Sequence, residues 1–143
     1  MHLLAKTACD LIEKEQSFVL ATIFSHSGST PRSSGSKMII TADGRGIGTI
    51  GGGLLEGRTM SRAVELIGLG QSDVLPFDLS HEVVATMDMI CGGQAEVLMD
   101  CVTSTDTNRS FFRRWCRLLA EGETGALLTM VITADNQGKW LPC

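Results

Sequence analysis

Residues 37–56, KMIITADGRGIGTIGGGLLE, decide how the rest of the chain is read. Lys37 to Ala42 is apolar and β-branched, so it reads as a strand. Asp43-Gly44 is a turn signal, and Gly46 to Ile50 reads as the return strand of a hairpin. The triplet Gly51-Gly52-Gly53 breaks the pattern, and a helix follows over Leu54 to Ile67, ended by Gly68 or Gly70. The stretch also holds a literal G-x-G-x-x-G at Gly46, Gly48 and Gly51. A dinucleotide fingerprint needs a strand directly before its first glycine, inside a strand–helix–strand unit. Here a turn precedes Gly46, and the glycines alternate with Ile47 and Thr49 in strand fashion, so the match is weak. What remains is a glycine-rich turn feeding a helix N-terminus, a ready site for an anion.

Outward from this stretch, residues 2–16 carry Leu4, Ala8, Leu11 and Ile12 at helical spacing, which predicts an amphipathic helix. Ser17 to Ser25, SFVLATIFS, is nearly continuously apolar and reads as a buried strand. Val74 to Leu79 and Gln94 to Val102 read as further strands, while Ser80 to Ile90 fits either a short helix capped by Ser80 or an irregular segment. A helix capped by Asp106 or Thr107 runs to Glu121, with Phe111, Trp115, Leu118 and Leu119 as its apolar stripe. Arg109, Arg113, Arg114 and Arg117 lie on its other face, most simply solvated, with docking to an acidic partner the lesser alternative. Gly125 to Thr133 is a last strand, which Asn136 to Gly138 turns back into Lys139-Trp140-Leu141. This order predicts an α+β (or α/β) fold: a small mixed sheet of five to six strands with three helices in a single layer packed on it.

The chain has 143 residues, which predicts one domain over 1–143. With 43% hydrophobic and 20% charged residues it has the composition of a globular domain. A net charge of −4 lacks the basic footprint of a nucleic-acid binder. No apolar run is long enough to span a bilayer, and the N-terminus MHLLAKTACDLIEKEQ has no signal-peptide pattern. Five cysteines, with no C-x-x-C, signal neither a disulfide framework nor a zinc site. Free thiols in a cytoplasmic protein are expected, with Cys9, Cys101 and Cys116 filling the core.

Three glycine-rich junctions hold the candidate chemistry. Gly28-Ser29-Thr30-Pro31-Arg32 to Lys37 offers small side chains, hydroxyls and two cations; it suits either a phosphate or carboxylate grip or a solvated hairpin loop. In the second, Gly51 to Glu56, the helix face that carries Met60, Ala63 and Ile67 also carries Glu56. That carboxylate therefore points inward, to orient loop backbone or ligand, unless it only complements the helix dipole. The third junction is Met89-Ile90-Cys91-Gly92-Gly93-Gln94. Its thiol fits a nucleophile or soft metal ligand if its pKa is lowered, against the commoner role of a packed cysteine. His26 and His81 read as loop histidines rather than ligands.

Gly28-Ser-Thr-Pro-Arg32, Gly35-Ser-Lys-Met38, Asp43-Gly44, Gly48-Thr-Ile-Gly-Gly-Gly53-Leu-Leu-Glu56 and Met89-Ile-Cys-Gly-Gly93, in this order, resemble the N-terminal domain of the XdhC/CoxI family. The resemblance covers roughly Phe18 to Cys101. It implies an accessory protein, not a turnover enzyme, for xanthine dehydrogenase and related molybdenum hydroxylases. Such a protein binds the molybdenum cofactor (molybdopterin), supports its sulfuration by a cysteine desulfurase and passes it to the apo-hydroxylase. The resemblance implies cofactor contacts at Gly28, Ser29, Thr30, Arg32, Lys37, Gly51, Gly52, Gly53, Glu56, Cys91, Gly92 and Gly93, with Cys91 as the molybdenum contact. Family members often carry Cys where this chain has Leu54, and typically continue into a Rossmann-like domain, which this chain is expected to lack. A homo-oligomer, in particular a homodimer, is the expected assembly. The alternatives are an NAD(P)-binding oxidoreductase using Gly46 to Gly51 and a non-catalytic interaction module.

Overall fold

Phe18–Ser27 (β1) has apolar residues on both faces, so it can be buried only at the centre of a sheet covered on two sides. The computed structural model describes residues 2–27, 34–78, 93–122, 132–134 and 140–142, and places β1 there. Lys37–Thr41 (β2) and Gly46–Gly48 (β3) lie to one side of β1, and Gln94–Val102 (β5) and Asp73–Asp78 (β4) to the other. The strand order is β3-β2-β1-β5-β4, and every pairing is antiparallel. The expected mixed sheet is therefore corrected to an antiparallel one. β3 and β4 run the same way but sit at opposite edges, so they never pair. Helix Gly53–Leu69 (α2) joins them; its 17 residues span ~25 Å, enough to cross a five-stranded sheet.

The sheet has two covered faces, which corrects the single helix layer expected above. Val19, Ala21, Ile23, Met38, Ile40, Val97 and Met99 point to α2 and pack on Leu55, Ala63 and Leu66. Phe18, Leu20, Ile39 and Val102 point the other way, to Ala8, Leu11 and Ile12 of helix His2–Glu13 (α1) and Phe112 of helix Asp106–Ala120 (α3). The alternation of β1 thus serves two cores at once. Gly70, in the left-handed conformation at φ 64°, ends α2 by returning its N–H to Ile67. The cap of α3 is Thr105, whose hydroxyl accepts from the Asn108 N–H, one residue earlier than expected.

Two features of α3 differ from expectation. Phe112, not Phe111, is the buried anchor: it meets the Phe18 ring edge-on at 5.9 Å, while Phe111 stays exposed. Trp115, Leu118 and Leu119 are half-buried as expected, so only the first position of the stripe moves, from Phe111 to Phe112. Cys9 and Cys116 are not free thiols but a disulfide between α1 and α3, their Cα atoms 6.8 Å apart. A pair separated by 107 residues leaves no spacing signal, and only the side-by-side packing of the two helices reveals it. Arg113 forks onto Glu13 and Arg109 reaches Glu15 at 2.7 Å; Arg113, Arg114 and Arg117 stay exposed, as the solvated-face reading expects, and Arg109 is half-buried.

Strands Ile132–Ala134 (β6) and Trp140–Pro142 (β7) pair antiparallel as a separate two-stranded sheet, in line with the turn read at Asn136 to Gly138. The apolar start of the expected Gly125 to Thr133 strand and the segment Ser80 to Ile90 lie outside the described residues.

Candidate functional site

The antiparallel order brings the strand ends that flank the three glycine-rich junctions to one end of the sheet. β1 leaves it at Ser27 and β2 enters it at Lys37. β3 ends there at Gly48, opposite Met38, before the Gly51–Gly53 turn. β4 ends there at Asp78 and β5 begins there at Gln94, and those two residues pair with each other while Gln94 also pairs with Ser27. Segments 28–33 and 79–92 connect residues that all sit at this rim; Gly28, Ser29, Thr30, Arg32, Cys91 and Gly92 themselves lie outside the described residues. Gly93 is buried directly before β5. A cleft of about 400 Å³ opens at the same rim between Ser25, Ser27, Asp78, Gln94 and Glu96.

Glu56 is the best-defined group of the site. It stands in the first turn of α2 and reaches back over its own approach loop. Its Oε1 accepts the N–H of Ile50 at 3.0 Å, of Gly51 at 3.2 Å and of Gly52 at 2.8 Å, and the Thr49 hydroxyl donates to the same oxygen. Burial alone would raise its pKa, but the donors of Thr49, Gly52, Ile50 and Gly51 together hold the carboxyl below its usual range. Glu56 is therefore ionised at neutral pH. The inward direction read from the helix face is observed, and the loop-orienting role with it.

That arrangement corrects the reading of the turn as an open anion site. The amides of Ile50, Gly51 and Gly52 are already spent on an internal carboxylate. The glycines answer instead to backbone geometry and space. Gly52 adopts φ 81°, ψ −175°, a region essentially closed to side-chain-bearing residues. A Cβ at Gly52 or Gly53 would meet no atom of the described residues within 4 Å. Gly46 and Gly48 are packing glycines: a Cβ would lie 2.6 Å from the Met38 methyl and 2.8 Å from the Lys37 carbonyl, respectively. Gly46–Gly48 forms the strand β3 itself, in an antiparallel hairpin. A dinucleotide fingerprint places its first glycine after a strand, whereas Gly46 and Gly48 lie within β3, and the strand that follows α2, β4, sits at the opposite edge of the sheet.

Lys37 shares the rim but not the face. It pairs with Thr22, and its ammonium donates to the Thr22 hydroxyl at 3.0 Å. Its neighbour Met38 joins the core under α2, so Lys37 runs along the opposite face from Glu56. Burial pushes the Lys37 pKa down. Thr49 and Thr22, the hydroxyl partners of the two charged groups, were not anticipated. A threonine inside a glycine turn, seven residues before an inward Glu, is the one sequence signal for the first. His26 closes its loop, with Nδ1 2.7 Å from the Ser34 hydroxyl. Among the described residues no group of three or more His, Cys, Asp or Glu side chains is placed to hold a metal ion, and no helix is long and apolar enough to cross a membrane.

Residues 11–78 match the model of the XdhC and CoxI family. The chain is 29% identical over 92 residues to the uncharacterized protein YqeB of Escherichia coli (strain K12), an alignment covering 64% of this chain and 17% of that protein. Its fold is similar to the crystal structure of a xanthine dehydrogenase from Bacillus halodurans, with TM-score 0.66 and 25% identity, over 94% of this chain and 40% of the other. The chain thus spans less than half the length of either relative. The match begins within α1, ends at the last residue of β4 and takes in the Glu56 turn. In sequence over residues 11–78 and in fold over most of its length, the chain is thus similar to the XdhC and CoxI family and to a xanthine dehydrogenase structure.

Proposed function

We propose that this chain is an accessory protein of a xanthine dehydrogenase-type molybdenum hydroxylase. In this reading it binds the molybdenum cofactor, assists its sulfuration by a cysteine desulfurase and delivers it to the apo-enzyme. The observation that carries the proposal is that the strand ends flanking all three glycine-rich junctions lie at one sheet end. The match of residues 11–78 to the XdhC and CoxI family model, with the similarity in fold to a xanthine dehydrogenase structure, supports the association with xanthine dehydrogenase.

The residues at the rim fit a pterin phosphate in kind. Among the described residues nothing crowds Gly52 or Gly53, so a flat ring can lie against their backbone; Glu56 offers an ionised acceptor on the α2 face, and Lys37 offers a cation at the same rim on the opposite face. When bound, the cofactor supplies the molybdenum centre on which the hydroxylase depends. This chain's part is to hold and present it. Arg32 is assigned to the phosphate and Cys91 to the metal, with Gly28, Ser29, Thr30, Gly92 and Gly93 allowing close backbone approach.

Reconstitution tests the proposal. An apo-hydroxylase of this class is mixed with molybdenum cofactor, cysteine desulfurase and cysteine, with and without the chain. The proposal expects faster and fuller recovery of hydroxylase activity with the chain, lost on Cys91→Ser. Equal recovery in its absence contradicts it.

A further inference from the structure

The two oxygens of Glu56 are not equivalent. Oε1 takes all four donors of the turn. Oε2 takes none among the described residues, and it is not sealed from solvent. No cation among the described residues pairs with it, since Lys37 is on the opposite face of the sheet. One half of the carboxylate therefore holds the loop, and the other half is a fixed, ionised acceptor beside the bare backbone of Gly52 and Gly53. An exposed glutamate would have to give up rotamer freedom to present an oxygen this way; here the turn has already fixed it.

We propose that Glu56 Oε2 is a ligand contact that accepts a hydrogen bond from the amino-substituted edge of a pterin-type heterocycle. This rests on the proposed function and adds an orientation to it. A carboxylate repels phosphate, so the ligand's anionic end points away from Glu56 and its nitrogen-donor edge points toward it. Because Oε1 is saturated, the contact is single: the exocyclic amino group meets Oε2. A heterocycle with a carbonyl in place of that amino group puts acceptor against acceptor and loses the contact.

Pterin and lumazine differ in this way, with 2-amino in one and 2-oxo in the other, and both fluoresce. Titrating each into the full chain reads the contact directly. The expected preference for pterin is about 10-fold or more, the range for one hydrogen bond to a charged group. Glu56→Gln is the second arm. Its amide oxygen still accepts from Ile50, Gly51 and Gly52, but its free arm becomes a donor, so pterin binding falls to the lumazine level. Equal binding of the two ligands by the unaltered chain, binding of neither, or a preference that survives Glu56→Gln overturns the inference. Retention of molybdenum cofactor without pterin–lumazine discrimination leaves the proposed function standing and removes only this contact. Failure to retain the cofactor removes both.

Discussion

Glu56 satisfies three backbone amides and a hydroxyl with a single oxygen, so its removal strands several polar groups at once. Glu56→Ala is expected to lower stability by about 1–3 kcal/mol, with Glu56→Gln costing less, as read from urea denaturation midpoints. The carboxyl is held below its ordinary range in the folded chain, so its contribution is complete above the unfolded glutamate pKa. It is lost as pH falls through the folded value. The gap in stability between the native chain and Glu56→Ala should therefore be constant near neutrality and close in acid. Gly52→Ala tests strain apart from space, since a methyl group meets no neighbour yet the backbone at φ 81°, ψ −175° excludes it. A loss of about 1–3 kcal/mol is expected from conformation alone. The inward direction of Glu56 was legible because positions 56, 60, 63 and 67 share a helix face. That its reach ends on its own loop was not, because helical periodicity says nothing of a side chain that folds back past the N-cap.

At the scale of elements, α3 is tied to α1 by the Arg113–Glu13 ion pair and the Cys9–Cys116 disulfide, to the residue Glu15 just past α1 by Arg109, and to β1 by the Phe18–Phe112 ring contact. The ion pairs are exposed and add little. The disulfide closes a loop of 107 residues, for which loss of chain entropy in the unfolded state is worth about 2–5 kcal/mol. Reduction should lower the urea midpoint accordingly, and Cys9→Ser should remove the sensitivity to reductant. Alkylation of the unreduced, denatured chain should leave two thiols more unmodified than alkylation after reduction; equal labelling would contradict the bridge. The elements themselves were readable one by one, since α1, β1, the β2–β3 hairpin and α2 each carry their own period and their own stop signal. The anchor of α3 was not, because Phe111 and Phe112 are equally apolar neighbours and only the facing Phe18 chooses between them.

Across the whole molecule, a sheet buried on both faces leaves its ends as the places where loops gather. The strand order β3-β2-β1-β5-β4 sends the strand ends flanking the three glycine-rich junctions to the same end. The candidate residues were legible as three separate loops. Their common rim was not, because it follows from antiparallel pairing between strands far apart in the chain, such as β1 with β5. The division of the rim into a Glu56 face and a Lys37 face was hidden for the same reason: it depends on the register of Lys37 with Thr22. The central claim is that this rim holds a molybdenum-bearing pterin. The most direct measurement is anaerobic titration of the purified chain with molybdenum cofactor, followed by gel filtration and pterin fluorescence of the protein fraction. The account predicts pterin eluting with the protein, saturating near one per chain or one per dimer. Pterin found only in the small-molecule volume would contradict it.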